Sequence, residues 1–305
     1  METVSGRRIA RIGFFSLALL LLAIALSILN NNFSFSRLSR ADFANRLDHS
    51  LVASTGWTTE QYFSASSGRI SATDEGTEFV RNSALAHMLV DCAAMSDDPR
   101  LLQLVAKFWV GRPDHAELWA KMVDPTIAAS PLSNNEMAAI EEYQRWILHG
   151  ISPAAAPLSA AELADMFSPD KFRTGKATHQ LFALYFYRKF NGDTPGLNRV
   201  MGQVEEHIAA EAAFDFRVTD LYLQRIAFLL AAGRPDLVKP RWVERALAAQ
   251  QSDGGWHYSW YGWAPHPSSY TFSSEHSIAH STAQGMWLTY MLKYRYPGWI
   301  DKNYK

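Results

Sequence analysis

The sequence lacks the residues on which several protein classes depend. A single cysteine among 305 residues excludes an intramolecular disulfide framework and a cysteine-rich zinc site. The 29 lysine and arginine residues are balanced by 30 aspartate and glutamate residues, and the resulting formal net charge of -1 predicts no general attraction to nucleic acid. The sequence also has no P-loop, Gly-x-Gly-x-x-Gly, Gly-x-Ser-x-Gly or Cys-x-x-Cys motif. Nucleotide binding and the commonest nucleophilic mechanisms therefore have no support in the sequence.

Apolar residues, by contrast, are abundant. They make up 48% of the chain, which indicates a folded protein with a substantial core. The longest uncharged run extends from Ile12 to Leu29, close to the length of about 18 residues at which a helix begins to span a bilayer. Arg7, Arg8 and Arg11 precede this run, which favours a cytoplasmic position for the short N-terminal tail.

This run predicts a transmembrane signal anchor. We assign residues 1–35 to a cytoplasmic tail and the anchor, and residues 36–305 to one domain outside the cytoplasm of a single-pass membrane protein. The alternative is a cleavable signal peptide, whose apolar region is usually only about 7–15 residues long and ends in a small-x-small site. The run ends in Asn30-Asn31-Asn32 without an Ala-x-Ala sequence, and this ending favours the anchor.

The remainder of the chain has the apolar periodicity of helices and no long alternating strand pattern. The clearest segments begin at a polar cap or a proline and end at Gly, Pro or Asn. Ser159 and Glu162 have the spacing of a capping box, and Pro195 and Pro240 occupy first-turn positions. The predicted helices are 83–95, 135–149, 159–167, 176–190, 195–212, 219–232, 240–250 and 274–294. A further helix is predicted after 83–95 and continues through Val110.

The predicted helices alternate in character. Segments 176–190, 219–232 and 274–294 are strongly apolar, whereas 195–212 and 240–250 are more charged and amphipathic. An inner layer of apolar helices covered by an outer amphipathic layer closes the core of an all-helical repeat. The sequence therefore predicts an all-α fold of about five helical hairpins in one domain.

The most specific motif follows one of the amphipathic helices. It reads Gln-x-x-Asp-Gly-Gly-Trp, from Gln250 to Trp256. Gln250 could bond the exposed carbonyls at its helix end, and Trp256 could cover the helix ends. The motif resembles the QW motif of the terpenoid cyclases and prenyltransferase β-subunits, and it is similar to turns in helical-hairpin glycosidases and polysaccharide lyases. The resemblance covers about residues 217–294 and implies an α/α toroid, without implying a particular reaction.

Polar residues recur near the N-terminal ends of the apolar helices. They are His87, His179, Asp220 and His280. In a toroid these side chains would face one mouth, where they could act as catalytic acids and bases. The same four residues could bind zinc or another divalent ion, the only cofactor that the sequence suggests. The alternative is that each histidine caps or hydrogen-bonds a neighbouring helix.

Another histidine precedes His280 by one helical turn. In Glu275-His276-x-x-x-His280, the two histidines share one helix face and could contact a common ligand. The glutamate precedes both histidines instead of lying between them, so the string departs from the metalloprotease motif. We place His276 among the substrate-binding candidates.

A loop rich in aromatic residues separates the motif from the last helix. The rings predicted to bind substrate are Trp256, Tyr258, Trp260 and Trp263. Exposed tryptophan and tyrosine faces stack on sugar rings or apolar chains and leave a polar edge for hydrogen bonds. The alternative is a loop that folds back over the toroid and buries its own rings.

Together these features predict a membrane-anchored toroid that acts on or binds envelope carbohydrate, as a hydrolase or a lyase. A hydrolase needs two opposed carboxylates, for which Asp220 with Glu275 or Asp253 is the candidate pair. A lyase would instead use histidine and tyrosine side chains.

Two other functions remain as alternatives. One is an isoprenoid- or lipid-binding toroid with an apolar cavity in the helical layer, lined by Phe182, Phe186, Phe228 and Trp287. The other is a non-catalytic scaffold whose mouth binds another envelope protein.

Overall fold

The fold is predominantly helical, as predicted. A computed structural model describes residues 4–33, 38–66, 82–108, 117–169, 176–257, 259–262, 269–270 and 277–304. Its helices are α1 (Val4–Asn32), α2 (Arg40–Ser66), α3 (Ser83–Ser96), α4 (Pro99–Phe108), α5 (Glu117–Ala120), α6 (Asn134–Ala139), α7 (Glu142–Ile151), α8 (Ala160–Met166), α9 (Lys176–Asn191), α10 (Pro195–Phe214), α11 (Asp220–Ala231), α12 (Pro240–Ala248), α13 (Ala279–Tyr290) and α14 (Pro297–Asn303). A π-helical turn, Met291–Arg295, extends α13. The strands β1 (Val218–Thr219), β2 (Ser259–Gly262) and β3 (Ser269–Tyr270) form a small antiparallel sheet in that order.

Helix α13 lies at the centre of the described structure. Every residue from Ser281 to Tyr290 is buried, and the helix packs against α2, α3 and α11. Its Trp287 donates Nε1–H to Asp91 Oδ2 of α3 over 2.6 Å. A helix without a solvent-facing side has to lie in the interior, which accounts for the predominantly small and apolar sequence of α13.

The apolar helices α9, α11 and α13 lie together with their N-terminal ends on one side. Thr178, in the first turn of α9, donates to Gln224 Oε1 of α11 over 2.6 Å. Asp220, the first residue of α11, bonds His280 near the start of α13. The more charged α10 packs against α9 and α11. The predominantly helical class is confirmed, whereas closure of these layers into a toroid stays a prediction.

Trp256, the last residue of the Gln-x-x-Asp-Gly-Gly-Trp motif, links α12 to α13. Its indole is 1% exposed and donates Nε1–H to the Ala246 carbonyl of α12 over 2.8 Å. The indole also lies against Gly285 of α13, where an added Cβ would come within 2.6 Å of the ring. A side chain at position 285 would therefore occupy the space that the indole needs.

The glutamine that begins the motif bonds outside its own helix. Gln250 Nε2 donates to the Ser50 carbonyl of α2 over 2.9 Å and to the Gly254 carbonyl over 2.7 Å. The expected bond to the end of α12 is therefore wrong for Gln250. The next residue, Gln251, makes that contact instead, because its Nε2 donates to the carbonyl of Ala249, the C-cap residue of α12. The motif thus joins three helices, because its glutamine reaches across to α2.

Replacing Gly254 with alanine should destabilise the domain more than the same change at Gly192. Both glycines have positive φ, +98° and +90°, where an alanine costs about 1–2 kcal/mol. A Cβ at Gly254 would also collide with the Ala53 carbonyl, whereas the space around Gly192 is open. We expect Gly254→Ala to lower the free energy of unfolding by about 2 kcal/mol more than Gly192→Ala. Urea denaturation of the full chain in detergent measures this difference, and equal losses would contradict the close approach to α2.

The segment predicted as one helix from 135 to 149 forms two helices. Helix α6 ends before Ile140, and α7 starts after Glu141, with extended backbone at both residues. Arg145 donates Nη1–H to the Ile140 carbonyl. A side chain from the following helix thus satisfies the carbonyl that a continuous helix would have bonded. Apolar periodicity does not reveal where a side chain replaces a backbone N–H as the donor to a carbonyl.

Two other elements differ from the predicted helices. Helix α2 was not predicted, and its interior contains a glycine and several β-branched residues that disfavour isolated helices. Contacts with α13 stabilise it, among them a 2.9 Å hydrogen bond between the hydroxyls of Thr55 and Tyr290. The last helix, predicted from residue 274, begins at Ala279, and residues 274–276 lie outside the described residues.

Helix α1 contains the predicted apolar segment. Between Phe14 and Asn32 it is long and apolar enough to cross a membrane. All side chains from Phe14 to Leu22 are exposed. This part of α1 is therefore not a core helix of the domain.

The end of α1 is nevertheless joined to the domain by hydrogen bonds. Asn31 is fully buried and donates Nδ2–H to the Ala212 carbonyl of α10 over 2.8 Å. Its Oδ1 accepts hydrogen bonds from the Tyr222 hydroxyl of α11 at 2.8 Å and from Arg245 Nη1 of α12 at 2.6 Å. One amide side chain therefore links three helices of the domain to α1.

The two neighbouring asparagines strengthen this junction. Asn30 accepts from Arg241 of α12 through its backbone carbonyl at 2.9 Å and through its side chain at 2.8 Å. Asn32 Oδ1 accepts from Lys239 Nζ at 2.7 Å. The end of α1 thus supplies acceptors to Arg241 and Arg245, which are only 4% and 3% exposed.

Asn31→Ala should destabilise the domain strongly. The substitution leaves the Tyr222 hydroxyl and the Arg245 guanidinium without one acceptor each, and burial already lowers the pKa of Arg245 by opposing its charge. We expect a loss of about 3 kcal/mol in the free energy of unfolding, measured by urea denaturation in detergent micelles. Asn45→Ala, at an exposed position of α2, is the matched control. If both variants unfold like the parent protein, Asn31 does not stabilise the domain.

Candidate functional site

Asp220 and His280 form a hydrogen-bonded pair at the start of two central helices. His280 Nδ1 lies 2.8 Å from Asp220 Oδ1. The carboxylate belongs to the first turn of α11, where the positive end of the helix dipole stabilises a negative charge. The side chains of Asp220 and His280 are 15% and 35% exposed, so the pair is partly open to solvent.

The Asp220 contact determines which nitrogen of His280 carries the proton in the neutral ring. A carboxylate can only accept a hydrogen bond, so Nδ1–H donates to Asp220 and Nε2 keeps the lone pair. Gln284, one turn further along α13, lies beside the ring with its Nε2 3.3 Å from Nδ1. An imidazole oriented in this way can take a proton through Nε2, and the carboxylate stabilises the resulting imidazolium.

Ser281 supports the same carboxylate. Its hydroxyl donates to Asp220 Oδ1 over 3.0 Å and is fully buried. A serine nucleophile would have to donate to the histidine base, whereas this hydroxyl donates to the acid. The cluster therefore favours proton transfer by His280 over nucleophilic attack by Ser281.

The aromatic loop joins the domain directly beside this pair. In β1, Val218 lies opposite Trp260 of β2, and Thr219 lies opposite Ser259. Thr219 immediately precedes Asp220, so the sheet places Ser259 and Trp260 beside the start of α11. The predicted ligand-binding residues Tyr258, Trp263 and His276, and also Glu275, lie outside the described residues.

His87 does not share the site of Asp220 and His280. It is 2% exposed and its Nδ1 lies 3.1 Å from the Met122 carbonyl. The ring packs edge-on against Phe186 at 4.9 Å and against Trp287 at 6.1 Å. Burial, together with the nearby positive charge of Lys189, lowers the pKa of His87 to about 3. His87 is therefore a neutral core residue, and its predicted place at a toroid mouth is corrected.

His179 is also separated from the pair by its contacts. Its ring packs against Tyr143 of α7, with centroids 4.4 Å apart, while the preceding Thr178 faces α11. Within the described ranges, no three His, Cys, Asp or Glu side chains lie close enough to hold a metal ion. The four-residue ligand set His87, His179, Asp220 and His280 is therefore not assembled, and only Asp220 and His280 meet.

Two further predicted site residues have structural roles in the motif. Trp256 is buried between α12 and α13, so its indole face is not available to a sugar ring. The Asp253 carboxylate accepts from the Gly255 backbone N–H at 3.0 Å and from the Ser277 hydroxyl at 2.7 Å. Asp253 therefore stabilises the turn, and its pairing with Asp220 as opposed carboxylates loses support.

The aromatic residues considered for a lipid cavity pack against one another. Phe182 stacks on Phe228 at 4.6 Å and meets Phe186 edge-on at 4.7 Å. Phe228 contacts Trp287 at 6.1 Å, and each of these four rings is at most 3% exposed. These contacts are typical of a filled core.

Sequence reasoning missed the residues that position the pair. Ser281 and Gln284 contact Asp220 and His280, and both are on the same helix as His280. The i, i+4 spacing of His280 and Gln284 was a readable signal of contact. The Ser281 contact depends on how α11 meets α13, and no sequence pattern indicates it.

Comparisons of the chain with protein-family models, with curated proteins and with solved structures give no match.

His87 should make the stability of the domain depend on pH. Its folded-state pKa of about 3 lies below the ordinary value of 6.5, so the unfolded chain takes up the proton first as the pH falls. The stabilisation is complete above pH 6.5 and decreases towards pH 3, by up to about 1.4 kcal/mol per pH unit. In His87→Gln the part of the decrease that is due to His87 should be absent.

Denaturant unfolding at several pH values between 6.5 and 4 measures the effect. His49→Gln, at an exposed position of α2, controls for the loss of a histidine. An unchanged pH dependence in His87→Gln would show that His87 takes up its proton equally in both states.

Proposed function

We propose that this chain is a membrane-anchored envelope protein that cleaves a carbohydrate polymer by acid–base chemistry at Asp220 and His280. The observation that carries the proposal is the 2.8 Å bond between these side chains, which orients a partly exposed imidazole. Support also comes from β2, in which Ser259 and Trp260 pair with the two residues that precede Asp220. The His280 side chain is 35% exposed, so the pair is partly accessible to a ligand from solvent.

The geometry favours a lyase over a hydrolase. Hydrolysis by paired carboxylates needs a second acid opposite Asp220, and Asp253 already serves the turn. In a lyase, His280 Nε2 would accept the proton next to the carboxyl group of a uronate residue. The electron pair of that C–H bond then forms a carbon–carbon double bond, and the bond to the departing sugar oxygen breaks. A tyrosine of the aromatic loop is the candidate acid for that oxygen.

The supporting architecture is an α/α toroid with its main domain outside the cytoplasm. This proposal is supported by the contacts of α11 with α9 and α13 near their N-terminal ends, and by the packing of α10 against α9 and α11. Retention of α1 as the anchor is supported by Asn31, because cleavage that removed it would take away the acceptor of the buried Arg245 Nη1. The arginines before the apolar run favour an N-terminus in the cytoplasm.

Asp220→Asn and His280→Gln should each lower kcat by about 10²–10⁴-fold. The asparagine can present an N–H to the imidazole and favour the wrong tautomer, and the glutamine removes the base. The full-length protein is assayed on uronate-containing, neutral and amino-sugar polymers. Unsaturated ends report elimination, whereas new reducing ends without unsaturation report hydrolysis.

His49→Gln is the control for substitution at a distant, exposed histidine, and circular dichroism checks that each variant is folded. Full activity in folded Asp220→Asn and His280→Gln would refute the role of the pair. Binding without turnover on every polymer would favour the scaffold function instead.

A further inference from the structure

One face of α1 is covered by the domain before the apolar run ends. Ser27 and Asn31 are one helical turn apart and both are buried, whereas Leu26 and Leu29 beside them are exposed. Helix α1 contacts α10 and α12. The domain therefore reaches along α1 to Ser27, which lies inside the apolar run.

The apolar run is barely long enough to cross a bilayer. A helix needs about 20 apolar residues to cross a hydrocarbon core of about 30 Å, and the run from Ile12 to Leu29 is near the lower limit. If it spans the membrane, Ser27 lies at the boundary between acyl chains and headgroups. The surface of the domain that flanks Ser27 and Asn31 must then lie at the same depth.

An exposed aromatic side chain occupies that part of the domain. Asn31 bonds the carbonyl groups of Ala212 and Ala213, and the next residue, Phe214, ends α10. The Phe214 side chain is 69% exposed, and Phe33, directly after α1, is 58% exposed. Exposing two neighbouring phenyl rings to water is unfavourable, whereas burying them at the boundary between acyl chains and headgroups is favourable.

We infer that Phe214 and Phe33 form a membrane-contact surface that inserts into the bilayer entered by α1. Lys239, an exposed residue bonded to Asn32, supplies a positive charge near this surface for lipid phosphate groups. The inference rests on the anchoring proposed above. It adds that the domain lies against the bilayer instead of extending from it on a flexible tether.

Cysteine labelling of the full-length protein tests this contact. The native Cys92 is fully buried, and burial raises the pKa of its thiol, so it does not compete for a thiol reagent. Single cysteines replace Phe214, Leu102 or Phe15, each of which is at least half exposed. Leu102, on α4, is the control for an exposed apolar residue away from α1, and Phe15 reports insertion of α1 itself.

Each variant carries an environment-sensitive fluorophore and is reconstituted in phosphatidylcholine–phosphatidylglycerol vesicles with nitroxide-labelled lipids. We expect the Phe214→Cys label to show blue-shifted emission and loss of fluorescence with shallow nitroxides, and the Leu102→Cys label to keep its aqueous emission. Quenching of Phe15→Cys by deep nitroxides with an aqueous Phe214→Cys label would overturn the contact surface and leave the anchoring intact. An unquenched Phe15→Cys label would overturn the anchoring and this inference with it.

Discussion

Helix α13 has no solvent-facing side between Ser281 and Tyr290, so every helix around it must supply a matching surface. Gly285 leaves room for the Trp256 indole, Trp287 donates to a carboxylate of α3, and Tyr290 bonds a hydroxyl of α2. A close-packed interior tolerates little change in volume. The position of each neighbouring helix, and with it the candidate site, therefore depends on the side chains of this one segment.

The candidate site follows from this packing. Asp220 and His280 begin their respective helices, and they meet because α11 and α13 lie side by side with the same ends together. Ser281, from the buried part of α13, donates to the same carboxylate, and Gln284 lies beside the imidazole. The His280 ring is thus partly exposed, whereas Ser281 and Gln284 beside it are fully buried.

The sequence predicted the structural features that depend on residues within one helical turn, and it missed those that depend on contacts between distant segments. The capping box of Ser159 and Glu162 is present as predicted, since both residues act within one helical turn. Apolar periodicity also located the buried helices. It could not show that Arg145 interrupts a helix, because that side chain bonds a backbone carbonyl beyond the start of its own helix. His87 was misplaced for a related reason, since its apolar surroundings come from α9 and α13.

The first turn of α11 connects the candidate site to the end of α1. Asp220 and Tyr222 are two residues apart; one bonds His280 and the other bonds Asn31. A separation of two residues corresponds to a rise of about 3 Å along the helix axis. The two side chains therefore extend from nearly opposite sides of α11. The pair is therefore fixed relative to the end of α1 through rigid, hydrogen-bonded structure. If α1 is the anchor proposed above, Asp220 and His280 are held at a fixed position relative to the bilayer.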